Sequence, residues 1–131
     1  MKTQFEVWDC DFETKGMHPA VLISHPDRCA GAKWLNVLFC TSQRQSRQPY
    51  PFEVALDTAD GMDWETFCDC SILWSVDVQR LKRRRGQLTA ERRGAGRFYS
   101  HWLAVENQGV KQDAEHLRFS LFCSSACETS D

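Results

Sequence analysis

No stretch of this 131-residue chain approaches the roughly 18 apolar residues that a membrane-spanning helix requires. Its first residues, Met-Lys-Thr-Gln-Phe-Glu-Val-Trp-Asp, are broken by charge and do not read as a secretory leader. The expectation is a cytoplasmic protein with no membrane partner. Internal repeats and low-complexity segments are also missing, which excludes a solenoid or a linker. A disulfide framework is lacking as well: there are seven cysteines, an odd number, and Cys40, Cys68 and Cys70 lie inside apolar, strand-like runs. Those positions suit buried, reduced thiols. Nor are there the paired C-x2–4-C modules of structural zinc sites. The weaker zinc alternative joins Cys68-x-Cys70 to Cys123-x3-Cys127 and His116. No metal and no cofactor are expected.

What is present is a core. Apolar residues make up 42% of the chain, with five Trp and eight Phe, too many for a disordered segment. The length suits one domain able to bury a core without staples. Net charge is −2 but unevenly placed: residues 80–97 carry eight Lys/Arg against one Asp/Glu, whereas residues 1–79 carry six against twelve. Such a block is weak evidence for an anionic partner, since a basic run is more often a solvated turn.

Patterning points to strands. Phe5 to Phe12 alternates at its start and reads as a first strand, followed by a loop that turns at Gly16. Pro19 is expected to precede the next strand, Ala20 to Ser24, which His25-Pro26-Asp27-Arg28 closes as a turn. Trp34 to Thr41 is apolar on both faces except at Asn36, as befits a central strand. The polar run from Thr41 to Arg47 follows, then a strand over Phe52 to Leu56 and an acidic turn around Gly61. Thr66 to Val76 reads as one long, bent strand. Asp77 is placed to cap a short helical turn, and Gly86-Gln87-Leu88 reads as a last small strand. From Thr89 the period changes: Ala95, Phe98, Tyr99, Trp102 and Leu103 mark one amphipathic helix. Leu117 to Phe122 can form an extra strand. Five or six short strands plus one helix predict a mainly β (α+β), strongly curved small barrel, because crossover helices are absent. The barrel with its helix should span residues 1–106, and 107–131 form a C-terminal extension.

Several of these blocks, in this order, resemble the PemK/MazF toxins of bacterial toxin–antitoxin systems. They are Glu6-Val7-Trp8 with Asp11-Phe12, Thr14-Lys15-Gly16, Pro19-Ala20-Val21-Leu22-Ile23-Ser24, Cys40-Thr41-Ser42-Gln43, and Tyr50-Pro51-Phe52-Glu53-Val54. Asp69, Ile72, Trp74 and Gly86-Gln87-Leu88 match more weakly. The resemblance implies an SH3-like barrel, a sequence-selective endoribonuclease acting on single-stranded RNA, a homodimer and a cognate antitoxin. Family members have a longer loop before the Pro-Ala-Val strand, with a Glu-Gln pair and a catalytic Arg just before the Pro. Here Gly16-Met17 shortens that loop and His18 stands at the arginine position. The second family position, a Thr or Ser after the third strand, is Thr41.

Cleaving RNA through its own 2′-hydroxyl needs a base, a donor to the leaving oxygen and positive charge on the phosphorane. His18 is the candidate acid or base, since imidazole exchanges a proton near neutral pH. Thr41 is the second candidate catalytic residue. Ser42, Gln43, Arg44, Arg47 and Lys15 are the candidates to bind substrate, the two arginines through forked guanidiniums. Trp8, Trp34, Tyr50 and Trp64 offer faces for unpaired bases, although aromatics in so small a barrel are more often core. The alternative implied by the missing Arg is a catalytically inactive module on the same barrel, binding RNA or inhibiting a protein target.

Overall fold

The computed structural model describes residues 2–42 and 47–94. Seven antiparallel strands form the fold: β1 (Glu6–Asp11), β2 (Met17–Leu22), β3 (Trp34–Ser42), β4 (Glu53–Leu56), β5 (Thr66–Asp69), β6 (Trp74–Asp77) and β7 (Leu81–Gln87). Two short helices join them, α1 (Pro26–Gly31) and α2 (Ala90–Arg93). The strands run in the order β4-β5-β3-β2-β1-β7, with β6 also paired to β3. The mainly β expectation holds, and among the described residues the strand count rises from five or six to seven.

The central strand explains its own composition. Along β3, Leu38 and Cys40 enter one apolar cluster with Val7, Val21, Leu56 and Cys68. Leu35 and Val37 enter a second with Ala20, Leu22, Trp74 and Leu81. Both faces of β3 are covered, so both must be apolar.

Four expectations are corrected by pairing that local pattern does not reveal. Pro19 lies inside β2, opposite Asp9, because β3 pairs with β2 only from Ala20 onward. Its missing N–H falls where the neighbouring ladder has ended. The turn after Ser24 is a helix: Pro26 opens α1, and the His25 side chain accepts from the Asp27 N–H at 3.1 Å. The long fifth strand is two strands. Between Cys40↔Cys68 and Val37↔Trp74, three steps on β3 face six on its partner, so residues 70–73 loop out. Asp69 steadies that loop by accepting from the Ser71 N–H at 2.8 Å. The last strand is longer than Gly86-Gln87-Leu88 and contains half of the basic block's cations, Lys82 to Arg85. By contrast, Asp77 caps its 3-10 turn as expected, accepting from the Gln79 N–H at 2.8 Å. The helix expected from Thr89 begins as α2 with Thr89 as its cap; its remainder and the segment Leu117 to Phe122 lie outside the described residues.

The sheet is closed by backbone contact rather than by a ladder between β4 and β7. The 3-10 turn after β4 ends at Gly61, φ +96°, and presses on Gly86 of β7. A Cβ on Gly61 would lie 2.6 Å from the Arg85 carbonyl oxygen, and one on Gly86 2.9 Å from the Gly61 Cα. Gly86→Ala is therefore expected to cost about 1–3 kcal/mol, as overpacking typically does, read as a lower urea midpoint with unchanged slope.

Candidate active site

The β1–β2 hairpin builds the first half of the site. After Asp11 the chain makes a 3-10 turn over Glu13–Lys15 and reverses at Gly16, whose carbonyl accepts from the Phe12 N–H at 2.9 Å. Arg80, at the entry to β7, clasps the turn through Asp11 at 3.5 Å and Glu13 at 2.9 Å. The tight turn brings His18 back beside Lys15. The His18 Nε2 lies 2.8 Å from the Lys15 carbonyl oxygen. A carbonyl only accepts, so Nε2 carries the hydrogen and neutral His18 has its lone pair on Nδ1.

The end of β3 builds the second half. The bonded β2–β3 register is Ala20↔Phe39, Val21↔Leu38, Leu22↔Val37. Continued two residues past its last pair, that register sets His18 level with Thr41. Residues two apart on a strand share a face, so His18, Phe39 and Thr41 do too. Beyond Phe39, β3 turns from β2 to β5, and Thr41 pairs with Phe67. The two strands part where His18 and Thr41 stand.

An aromatic floor underlies them. The His18 ring is 4.7 Å from Phe39, and Phe39 packs edge-on against Phe12 at 4.9 Å. Trp74 completes the cluster at 5.3 Å from Phe12. The Lys15 ammonium lies 5.6 Å from the Phe39 centroid. From this floor a groove of about 400 Å³ runs past Phe12, Trp34 and Trp74 toward Arg80 and Lys82.

Arg47 arrives on the same side, since its guanidinium covers the Phe67 ring at 4.6 Å and Tyr50 at 4.4 Å. Its fork is held by Glu53, at 2.9 and 3.2 Å. Burial by itself would push the Glu53 carboxyl up. The Arg47 hydrogen bond and the Tyr50 N–H outweigh it and hold the group below its ordinary 4.5. A carboxyl depressed in the folded state adds stability above pH 4.5, and that contribution is lost as pH falls through the lowered value. Urea midpoints measured against pH should drop below 4.5 in the native protein. In Arg47→Ala the drop should flatten, with the midpoint at pH 7 already reduced.

Lys15, His18, Thr41 and Arg47 thus gather on one face. Ser42 contributes backbone to β3, pairing with Thr66, while Gln43 and Arg44 lie outside the described residues. Residue patterns missed Glu53 as the partner of Arg47 and Phe39 as the floor. The buried acid inside an alternating strand was the available signal for the first.

The basic block is largely spoken for inside the fold. β7 lies antiparallel to the acid-bearing β1, with Arg83 on Asp9 at 3.0 Å and Arg84 on Glu6 at 2.8 Å. A bulge singles out Arg85, which bridges Asp9 at 3.0 Å and Asp63 at 2.9 Å. The charge asymmetry of the sequence is thus chiefly two strands neutralising each other. Cys10, Cys29, Cys40, Cys68 and Cys70 are free, buried thiols, and burial pushes Cys10 up to about 12. Among the described residues, no three His, Cys, Asp or Glu side chains are disposed to hold a metal ion; Cys123, Cys127 and His116 lie outside them.

Comparison with solved structures finds similar folds at low identity. The Mycobacterium tuberculosis toxin MazF-mt6 superposes with a TM-score of 0.63 at 14% identity, covering 78% of this chain and 96% of that one. A MazE–MazF complex from Deinococcus radiodurans gives 0.60 at 17%, covering 80% and 94%. A mycobacterial endoribonuclease in complex with its cognate antitoxin gives 0.60 at 14%, covering 85% and 96%. Comparison with curated protein sequences gives no match. The family model for the PemK-like, MazF-like toxin of type II toxin–antitoxin systems matches residues 3–94, from the lead-in to β1 through α2. Because that span holds all seven strands and the His18–Thr41 notch, the chain belongs to the PemK-like, MazF-like toxin family.

Proposed function

We propose that the protein is an endoribonuclease that cuts single-stranded RNA, with the RNA's own 2′-hydroxyl as nucleophile. The observation that carries this reading is the register that sets His18 level with Thr41 on one face, where β2 and β3 separate. His18 Nδ1 takes the 2′-hydroxyl proton while Nε2–H stays anchored on the Lys15 carbonyl. Thr41 positions the scissile phosphate, Lys15 and Arg44 supply charge as the phosphorane forms, and its collapse to a 2′,3′-cyclic phosphate breaks the bond to the 5′-oxygen, which takes its proton from water. Ser42, Gln43 and Arg47 are the further substrate-binding residues of this reading, and Arg47 is held by Glu53. No step in this route needs a metal.

Relatives solved with their antitoxins support a cognate antitoxin as a partner, and the family resemblance supports a homodimer. The test is incubation of purified protein with mixed single-stranded RNA in EDTA. Cleavage is expected, and intact RNA at every protein concentration overturns the proposal.

One observation favours the alternative of a non-catalytic binding module: Arg47 is already paired with Glu53, and the position of the family arginine is a histidine. Expression in a bacterial host separates the readings. Growth arrest with loss of mRNA marks the nuclease, whereas arrest with intact RNA, or no arrest, marks the module.

A further inference from the structure

The turn that leads to His18 is strained and is held from outside itself. Glu13 has φ +60°, in the left-handed region that residues other than Gly, Asn and Asp seldom adopt. The bonds within the turn are all local. The Glu13 N–H reaches Asp11 Oδ1 at 2.9 Å, the Lys15 N–H the Phe12 carbonyl at 3.2 Å, and the Gly16 N–H the Glu13 carbonyl at 2.9 Å. A strained residue persists only where its surroundings over-determine it. The surroundings here are Arg80, whose guanidinium fork meets Glu13 Oε2 at 2.9 Å and Asp11 Oδ2 at 3.5 Å. Arg80 is itself a fixed post at the end of the 3-10 turn between β6 and β7. There the Val78 N–H bonds the Lys33 carbonyl at 2.7 Å, Asp77 caps the turn, and Leu81 pairs with Cys10 of β1.

We propose that Arg80 is a positioning residue for His18: by clasping Asp11 and Glu13 together it holds the strained turn, and so keeps the Lys15 carbonyl 2.8 Å from His18 Nε2. The inference rests on the endoribonuclease reading for what His18 does, whereas the clasp and its effect on the imidazole are measurable without RNA. The path of contact is short. Arg80 grips Glu13, Glu13 lies two residues before Lys15, and the Lys15 carbonyl holds the ring. All three clasp side chains are at least 36% exposed, so the ion pairs add little to global stability. They have only to offset the local cost of one left-handed residue. A lysine at position 80 would keep the charge but not the fork that meets two carboxylates at once.

The test compares the full chain with Arg80→Gln, Arg80→Lys and the double variant Arg80→Gln with Glu13→Gly, because glycine takes φ +60° without steric cost. Amide hydrogen exchange at Lys15 and Gly16 reads opening of the turn. The ring-proton NMR shift of His18, displaced by the Phe39 ring 4.7 Å away, reads the place of the imidazole. In Arg80→Gln the unfolding midpoint should stay near wild type, while the turn amides exchange up to about five-fold faster, the scale of an exposed ion pair. The His18 shift should move toward its unfolded value, and kcat for RNA should fall several-fold with KM unchanged. Arg80→Lys should lie between, and the double variant should regain the shift and most of kcat. An unchanged exchange rate and His18 shift in Arg80→Gln overturn the proposal. So does a raised KM with kcat intact, which marks a direct phosphate contact, and so does a double variant that regains neither shift nor kcat. A collapsed midpoint in Arg80→Gln overturns it as well, since Arg80 would then belong to the fold. Intact RNA with wild type, alongside a His18 shift lost in Arg80→Gln and regained in the double variant, sinks the catalytic reading and leaves the clasp standing.

Discussion

His18→Ala is expected to lower RNA cleavage by about 10²- to 10⁴-fold, the usual contribution of a positioned acid or base. The geometry makes the prediction specific to the imidazole. The Lys15 carbonyl fixes which nitrogen carries hydrogen, and Phe39 at 4.7 Å fixes the plane of the ring. His18→Asn can still donate to Lys15 through its amide but has no nitrogen lone pair that takes a proton near neutral pH, so it should be nearly as impaired as Ala. His18→Arg would place at this position the residue type that the family resemblance implies, and a cation there should recover part of the activity. Because His18 is half-buried at a strand start, unfolding midpoints of all three variants should lie close to wild type. Cleavage by His18→Ala at the wild-type rate, in folded protein, removes His18 from the mechanism.

The second large effect concerns stability. Asp60→Ala is expected to cost about 4 kcal/mol, within the range for breaking a buried ion pair. Asp60 is fully buried, yet its carboxylate accepts from the Asp57 N–H at 3.0 Å, the Thr89 N–H at 3.2 Å and the Arg92 guanidinium at 3.1 Å. One side chain thus ties the turn after β4 to the start of α2, beside the Gly61–Gly86 contact that closes the sheet. Removing it strands the Asp57 and Thr89 N–H donors and leaves Arg92 only its longer contact to Asp57 at 3.4 Å. The thermal midpoint should fall by about 15 °C, since about 1 kcal/mol shifts a domain of this size by several degrees. Asp60→Asn retains an acceptor oxygen and should lose less. A midpoint in Asp60→Ala within about 2 °C of wild type would show that the clamp does not hold the closure.

These two predictions differ in how much of their basis the sequence displays. His18 and Thr41 can be picked out by residue type and by their place in the Pro-Ala-Val and Cys-Thr-Ser-Gln blocks. Nothing in the chain marks Asp60, one of several acids in what reads as a solvated turn. Its role depends on Thr89 and Arg92 folding back across about thirty residues, and such contacts leave no local periodicity. The same limit explains the basic block. Four bases in a row, Lys82 to Arg85, read as an interaction surface until β7 is laid against β1, where Asp9 and Glu6 answer Arg83, Arg84 and Arg85. Strand breaks were illegible for a related reason: residues 66–76 are apolar enough throughout to be one strand, and only the register against β3 demands the loop at 70–73.

By itself, then, the sequence determined the fold class, the apolar character of both faces of β3 and the capping role of Asp77. Those are matters of composition, periodicity and motif, each written within a few residues. Tertiary structure alone decided that β3 leaves β2 for β5 beyond Phe39, that Arg47 is braced by Glu53, and that Met17 and Trp64 line one groove. Each of these depends on which strands pair and in what register. A register is set by the packing of the whole core, because a one-residue slip would turn every buried side chain outward.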